Sequence, residues 1–429
     1  MMNSLATGLA IALCSVLWVE FVRDFYHVLS HLWQPLYRLH IWHHKVFRRD
    51  LSVVSDTIYR QAHWYNDVPE SLVMLLLSIL PWSLVSAWDL APQWAAWAGS
   101  FYTLSFLIGA IARGLGIPFV DELTDITHRP GEFTTLPSRW LVNRPYHWRH
   151  HFDNQNAYFS GTLTLVDKLL GTALSLKNKR IAVTGASGTL GKALLTQLHL
   201  AGAKVTAFTS SNTDITLNVS GEDLAIKTVA WQIGKEAELL TFLEQIDILI
   251  INHGVNVHAQ RDEAAIAKSY EVNTFSTLRL MELFFQTVKS DRDMITKEVW
   301  VNSSEAEVNP AFSPLYELSK RATGDLVTMR RLDAPCVVRK LILGPFKSQL
   351  NPVGIMSANW VAKQIVNLAR RDFRNIIVTI NPLTFILFPI KELWVANYFR
   401  FFTATTTKVA QKRSDPLKGS TVPSTGRGL

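Results

Sequence analysis

Three long apolar runs near the N-terminus constrain the fold of this chain more than any other feature. Ser4 to Val22 is 19 residues with Glu20 as its one charge, Ser71 to Trp88 is 18 with none, and Trp94 to Ala112 is 19 with none. At about 1.5 Å of rise per residue, a helix of that length spans a hydrocarbon core of about 30 Å. Trp and Tyr edge the runs, which predicts three transmembrane spans (about 4–22, 71–88 and 94–112) and not three buried core helices. No Lys or Arg precedes the first run, so it does not read as a cleaved signal peptide.

Orientation follows from the loops. Arg23, Arg38, Lys45, Arg48, Arg49 and Arg60 lie between the first two runs, whereas the turn around Asp89 and Pro92 has no basic residue. The basic loop is therefore expected in the cytoplasm, and everything after Arg113 with it. The net charge of +8 comes without a Lys/Arg stripe interleaved with aromatics, so a bilayer is the expected partner and not nucleic acid. Cys14 and Cys336 are the only cysteines. A disulfide framework and a cysteine zinc site are both excluded.

This topology gathers histidines. Ten of the 13 histidines fall in the first 151 residues. His27 and His31 are spaced i, i+4; His40, His43 and His44 read HxxHH; His147, His150 and His151 repeat HxxHH after the third run. Offsets of three and four share a helix face, so each box aims several imidazoles at one point. Together with His128 they exceed what one ion needs, and an all-nitrogen shell suits iron, zinc, copper or nickel. A two-metal site is the economical reading.

The boxes HVLSH, HIWHH and YHWRHH, followed by FDNQNAYFSGTLTLVDKLLGT, resemble the fatty acid hydroxylase and sterol desaturase superfamily over about residues 1–175. The resemblance implies a di-iron enzyme that uses O2 on a lipid or sterol-like substrate. It would be served by a separate electron donor, ferredoxin- or cytochrome-like, since no flavin or iron–sulfur motif is present. His63, separated from Pro69 and Glu70 where the family carries a compact motif, is left open between ligand and structural residue.

From Lys179 the pattern alternates between strand-like and helix-like segments. RIAVTGASGTLGKALL reads as strand, glycine turn and helix, the unit that sets backbone N–H groups against a pyrophosphate. Gly185, Gly188 and Gly191 carry the turn, with Ser187 inside it. Further on come Asn252 and Gly254 in NHG, Asn273 in YEVNTFS, Ser303 and Ser304 at a strand end, Tyr316 with Lys320 in YxxxK, and LGPFKS with Pro345. This ordered set resembles the short-chain dehydrogenase/reductase family over about residues 179–375. The likeness implies that Tyr316 exchanges a proton with substrate oxygen, that Lys320 lowers the phenol's pKa, that Ser304 holds the carbonyl or hydroxyl, and that Asn273 takes part in a proton relay.

Thr209, Ser210 and Ser211 stand where an NAD-binding protein usually carries an acid, which favours NADP(H) over NAD(H), although Asp214 lies close by. The expected fold is thus an α-helical membrane domain with His boxes over 1–176, then an α/β Rossmann domain with a doubly wound parallel sheet over 177–375. An aromatic membrane-interfacial segment over 376–403 and a disordered basic tail over 404–429 complete the chain. The expected function is a bifunctional lipid oxidoreductase, an integral membrane protein with both sites on the cytoplasmic face. A wax-type aldehyde decarbonylase and a membrane-tethered NADP sensor without turnover are the alternatives.

Overall fold

A charge inside an apolar helix needs a partner, and Glu20 has two. In the computed structural model, which describes residues 2–404 apart from 212 and 220, Tyr102 Oη and Arg23 Nη2 both donate to its carboxylate at 2.5 Å. Among the described residues, three helical stretches are long and apolar enough to cross a membrane: Ser4–Leu32, Asp56–Ala87 and Gln93–Leu115. They run past the expected limits because each continues into a polar turn at the end that carries the histidines. The first and third touch closely at Gly99, where a Cβ would sit 2.5 Å from the Ser15 carbonyl oxygen. Leu5, Leu9 and Leu13 point outward and are exposed.

The C-terminal half is built on one eight-stranded sheet. Its strands are β1 (Arg180–Thr184), β2 (Lys204–Thr209), β3 (Ile215–Val219), β4 (Glu222–Ala230), β5 (Ile248–Ile251), β6 (Glu298–Asn302), β7 (Val337–Leu343) and β8 (Asn375–Val378). Their order is β3-β4-β2-β1-β5-β6-β7-β8. All pairs are parallel except β3 with β4, a hairpin that extends one edge. Apolar side chains of the helices Thr189–Leu200 and Ala358–Arg370 cover one face, and Leu280, Met281 and Phe284 cover the other. The central strands β1, β5 and β6 are near-continuous apolar runs because a parallel sheet is buried on both faces. Strand order reverses between β1 and β5, so a crevice opens at their C-terminal ends, the usual ligand position in such sheets.

The strand β8 straddles the boundary expected at 375, so the first residues of the expected interfacial segment belong to the sheet. The helix that follows, Thr384–Phe402, is tied down by Glu392, which accepts from Lys340 Nζ at 2.7 Å and pairs with Arg331 at 3.0 Å. The basic tail lies outside the described residues beyond Ala404.

The two halves share a polar junction. Helix Arg144–Phe152, which carries the last His box, sends Arg149 Nε to the Ile295 carbonyl at 2.7 Å. Lys179 pairs with Asp153 at 2.6 Å, Lys168 Nζ donates to the Arg371 carbonyl at 3.1 Å, and Leu174 N donates to the Arg370 carbonyl at 3.0 Å. The histidine loops and the sheet therefore sit at the same end of the three apolar helices.

Candidate functional site

The histidines form two groups of four. His27, His31, His40 and His150 make one; His43, His128, His147 and His151 make the other, and within each group the potential ligand atoms all lie within 4.8 Å of one another. In the first, His27 Nε2 lies 3.0 Å from His150 Nε2. In the second, His147 Nε2 is 2.8 Å from His128 Nε2 and 3.1 Å from His151 Nε2. His44 belongs to neither group of four but stands beside the first, its Nε2 3.1 Å from His40 and 3.4 Å from His31.

The outer ring nitrogens are held by the fold. His27 Nδ1 meets the Phe159 carbonyl at 2.6 Å, His150 Nδ1 the Ala157 carbonyl at 2.8 Å, His40 Nδ1 the Asn66 Oδ1 at 2.9 Å, and His128 Nδ1 the Asp125 carboxylate at 2.5 Å. Such bonds fix the tautomer and leave Nε2 as a free lone pair facing the cluster, the arrangement metal-ligating imidazoles need. Burial, and then the neighbouring imidazoles, push His43, His147 and His151 well below the ordinary histidine range. The rings are thus neutral, the state that binds metal. An apolar core would have no use for convergent imidazole nitrogens without protons to share, so the donor set fits two soft-to-borderline metal ions.

His63, left open by the sequence, stands apart from both groups. It lies in the π-helical turn His63–Asp67, with Nδ1 2.6 Å from Asp67 Oδ2 and Arg113 beside them. Sequence reasoning missed Asp167. This buried carboxylate accepts from the backbone N–H groups of Phe159 and Ser160 at 2.9 and 2.8 Å and from Tyr146 Oη at 2.9 Å, and so holds the strand of chain that orients His27. Asn66 and Asp125 were missed as well; the i, i+3 spacing of Asp125 and His128 was the one available signal.

The second site lies at the C-terminal ends of β1, β5 and β6. Gly185 has φ +61 and a Cβ there would meet His253 Cα at 2.9 Å; at Gly191 a Cβ would lie 2.3 Å from the Gly185 carbonyl oxygen. Both positions need glycine, which lets the turn close against the start of helix Thr189–Leu200, capped by Gly188 without a side-chain bond. The helix N-terminus is thereby left free for an anion. Beside it lies a cavity of about 660 Å³ lined by Thr189, Lys347, Gln349, Met356 and Asn359 among others. The Pro345 carbonyl accepts from the N–H groups of Ile355 and Met356, two residues of that lining.

The end of β2 carries only hydroxyls. Thr209 Oγ1 donates to Ser187 Oγ at 3.1 Å, Ser210 is exposed, and Asp214 immediately precedes β3. These features suit a dinucleotide whose adenosine ribose carries a phosphate.

Ser304, Tyr316 and Lys320 converge. The Ser304 hydroxyl hydrogen-bonds the Tyr316 phenol; burial raises the phenol above its ordinary range, and the Ser304 bond opposes this. Lys320 Nζ donates to the Asn302 carbonyl at 3.0 Å, and burial, opposed by the charge of Glu307, holds the ammonium down at about 8. Lys320 Nζ also lies 5.8 Å from the centroid of the Tyr316 ring. Asn302, missed by the sequence reading, also donates through Nδ2 to Asn252 Oδ1 at 2.9 Å. Asn273 clamps the loop after Gly254, accepting from Val255 N at 2.8 Å and donating to its carbonyl at 2.9 Å.

Residues 179–340 match the short chain dehydrogenase family. The chain is similar to the monoglucosyldiacylglycerol epimerase of Synechocystis sp., 66% identical over 400 residues that cover 92% of this chain and 98% of that protein. Among solved structures it is similar to a short chain dehydrogenase from Burkholderia cenocepacia J2315 in complex with NADP, with 18% identity, TM-score 0.43, 54% of this chain and all of that one covered. It is also similar to an alcohol dehydrogenase from Thermococcus sibiricus, with 16% identity, TM-score 0.40, 47% of this chain and 96% of that one covered. Matched along nearly its whole length, the chain belongs to the monoglucosyldiacylglycerol epimerase family and carries a short-chain dehydrogenase domain.

Proposed function

We propose that this chain epimerises the sugar headgroup of a glucosyl diacylglycerol lipid, by oxidation and re-reduction of one carbinol carbon in the Ser304–Tyr316–Lys320 site. The observation that carries the reading is the bonded pair of Ser304 and Tyr316 beside buried Lys320, in a chain 66% identical to a glucolipid epimerase. Ser304 would hold the carbinol oxygen while Tyr316 takes its proton and later returns it. NADP, bound by the Gly185–Gly191 turn and the Ser187, Ser210, Asn252 and Pro345 surroundings, would supply the hydride acceptor and then the donor. Between the two transfers the ketone must turn its other face to the nicotinamide, so that the hydride returns from the opposite side. Protons and electrons balance over the cycle, and this half needs neither O2 nor an external reductant. Incubating the full-length protein with NADP and monoglucosyl diacylglycerol in ²H2O tests this. The epimer should form without net NADPH and without deuterium on carbon; a keto lipid accumulating with equimolar NADPH would overturn it.

The two tetrads of imidazoles favour a second activity in the same chain. His27, His31, His40 and His150 would hold one metal ion and His43, His128, His147 and His151 another, with His44 beside the first. Iron there would supply oxygen-dependent chemistry on a lipid or sterol-like substrate, and that half alone would call for a separate ferredoxin- or cytochrome-like donor. Metal analysis of freshly purified protein decides: about two iron ions per chain supports the reading, and stoichiometric zinc or no metal overturns it. The basic loop between the first two apolar helices supports an integral membrane protein with both sites on the cytoplasmic face.

A further inference from the structure

The helix Thr384–Phe402 owes its mixed sequence to two faces with different tasks. Thr384, Phe388 and Glu392, four residues apart, are buried against the sheet half. Lys391 also turns inward, 2.7 Å from Glu307 and 2.5 Å from Asp325. The opposite face then presents Ile386, Ile390, Leu393, Trp394 and Phe401, all at least 60% exposed, with no charge before Arg400. A helix pinned along one side to a folded domain cannot cross a bilayer, yet among the described residues nothing covers its apolar side.

That face continues to the mouth of the dehydrogenase site. Asn309 Nδ2 donates to Thr384 Oγ1 at 2.8 Å, and three residues on Phe312 is 97% exposed. Ser313 Oγ donates to Asn256 Oδ1 at 2.7 Å, and Asn256 Nδ2 reaches the Leu350 carbonyl at 3.5 Å, in the loop that carries Val353, 87% exposed. In the other direction the helix joins the membrane half: Glu392 pairs with Arg331, Arg331 Nη2 donates to the Arg374 carbonyl at 2.7 Å, and Arg374 donates to the Pro137 carbonyl. Exposed Trp140 and Leu169 follow, on segments that pack next to the first apolar helix. Exposed apolar side chains thus stand on each of a linked series of segments that runs from the three long helices to the loops around the site.

We propose that the outward face of Thr384–Phe402 and the loops bearing Phe312 and Val353 rest in the same bilayer as the three apolar helices, so that the site opens onto the headgroup layer and takes its substrate laterally. The occupant is a lipid surface because the patch is continuous with segments of spanning length and carries large aromatic and branched side chains, the composition of an interfacial helix. Lateral entry rests on the glycolipid reading above; the docking itself does not.

The test uses the full chain in phosphatidylglycerol-containing vesicles, with nitroxide labels on Phe312→Cys, Val353→Cys or Trp394→Cys in a Cys14→Ala background. Leu9→Cys serves as a lipid-facing reference and Leu200→Cys, 57% exposed on the far side of the nucleotide turn, as a water-facing one. Collisions with O2, relative to collisions with a nickel chelate, should rise several-fold over the Leu200 label and approach the Leu9 label. Labels that behave like Leu200 overturn the proposal. Labels shielded from both reagents overturn it too, since they would mean that a protein covers the patch. Native-like near-ultraviolet dichroism of each variant excludes misfolding, and because no turnover is read, loss of the epimerase reading would leave this outcome intact.

Discussion

Arg149 and Glu298 meet 3.4 Å apart across the junction of the two halves, both side chains buried. Arg149 adjoins His150 of the first histidine group, and Glu298 opens β6, the strand that ends at Asn302 and so at Lys320. Glu298 also takes Arg339 Nε at 2.8 Å, and Arg339 Nη2 reaches Asp372 at 2.8 Å. Burial opposes ionisation of Glu298, but Arg339 first and then Arg149 hold its carboxyl down at about 2.

Glu298→Gln removes the charge that two buried guanidiniums share. It should destabilise the protein by about 3 kcal/mol, with both halves melting in one lowered transition in detergent. The pH dependence follows from the depressed pKa: the stabilisation is complete above the unfolded value of about 4.5 and is lost as pH falls from there through about 2. Wild type should therefore lose stability over that window more steeply than the Gln variant, as acid titration followed by dichroism would show.

The chemistry of Tyr316 gives a second expectation. Tyr316→Phe removes only the hydroxyl, so epimerisation should fall by about 100-fold or more while NADP(H) affinity, followed by fluorescence titration, stays close to wild type. Ser304→Ala acts in another way. Burial raises the phenol and the Ser304 bond opposes it, so losing that bond moves the phenol further up. Alcohol oxidation needs the phenolate, and the rising limb of kcat against pH should shift to higher pH.

If the two imidazole tetrads each hold one ion, their losses should separate. His27→Ala and His147→Ala each remove one donor from one group. Each should lower bound metal from about two ions per chain to about one, measured by elemental analysis, and the double variant should bind almost none. If either single change empties the chain, the two groups act as one site.

Much of this was legible in the sequence, for physical reasons that differ by region. β5, ILII, reads as a strand because burial on both faces demands uninterrupted apolar residues, whereas in β7 the charged Arg339 and Lys340 interrupt that signal. The proximity of the histidines follows from HxxHH spacing on helices. Their partition does not: His40 and His43 lie in one box yet join different groups, because rotation of the helix between two partners decides which ring faces which. The Arg149–Glu298 link is silent in sequence, since a charged residue at a strand start reads as solvent-facing. So is the inward turn of Lys391 and Glu392, which makes a one-sided apolar helix look evenly mixed.

Gly191→Ala tests the nucleotide turn. The added Cβ would sit 2.3 Å from the Gly185 carbonyl oxygen and 2.7 Å from Ala186 Cα, and backbone must move to admit it. The cost should be about 1–3 kcal/mol of stability, and the displaced helix start should abolish measurable dinucleotide binding. Under the two-ion reading, metal content would be set in the other half and should not change.

Cofactor choice rests on the hydroxyl-lined end of β2. Ser210 is exposed there, one residue beyond Thr209, whose Oγ1 is already committed to Ser187. Ser210→Asp places a carboxylate where it can accept both hydroxyls of an unphosphorylated ribose and repel a 2′-phosphate. Bidentate acceptance strengthens NAD(H) binding, and like-charge repulsion weakens NADP(H) binding. The ratio of the two dissociation constants should therefore move towards NAD(H) by at least about tenfold, equal to about 1.4 kcal/mol. Ser210→Ala, which adds no charge, should leave the ratio nearly unchanged. A ratio unaltered in the Asp variant would mean that the adenosine ribose binds away from Ser210, and any preference for NADP(H) would have to be sought at Lys347 in the neighbouring cavity.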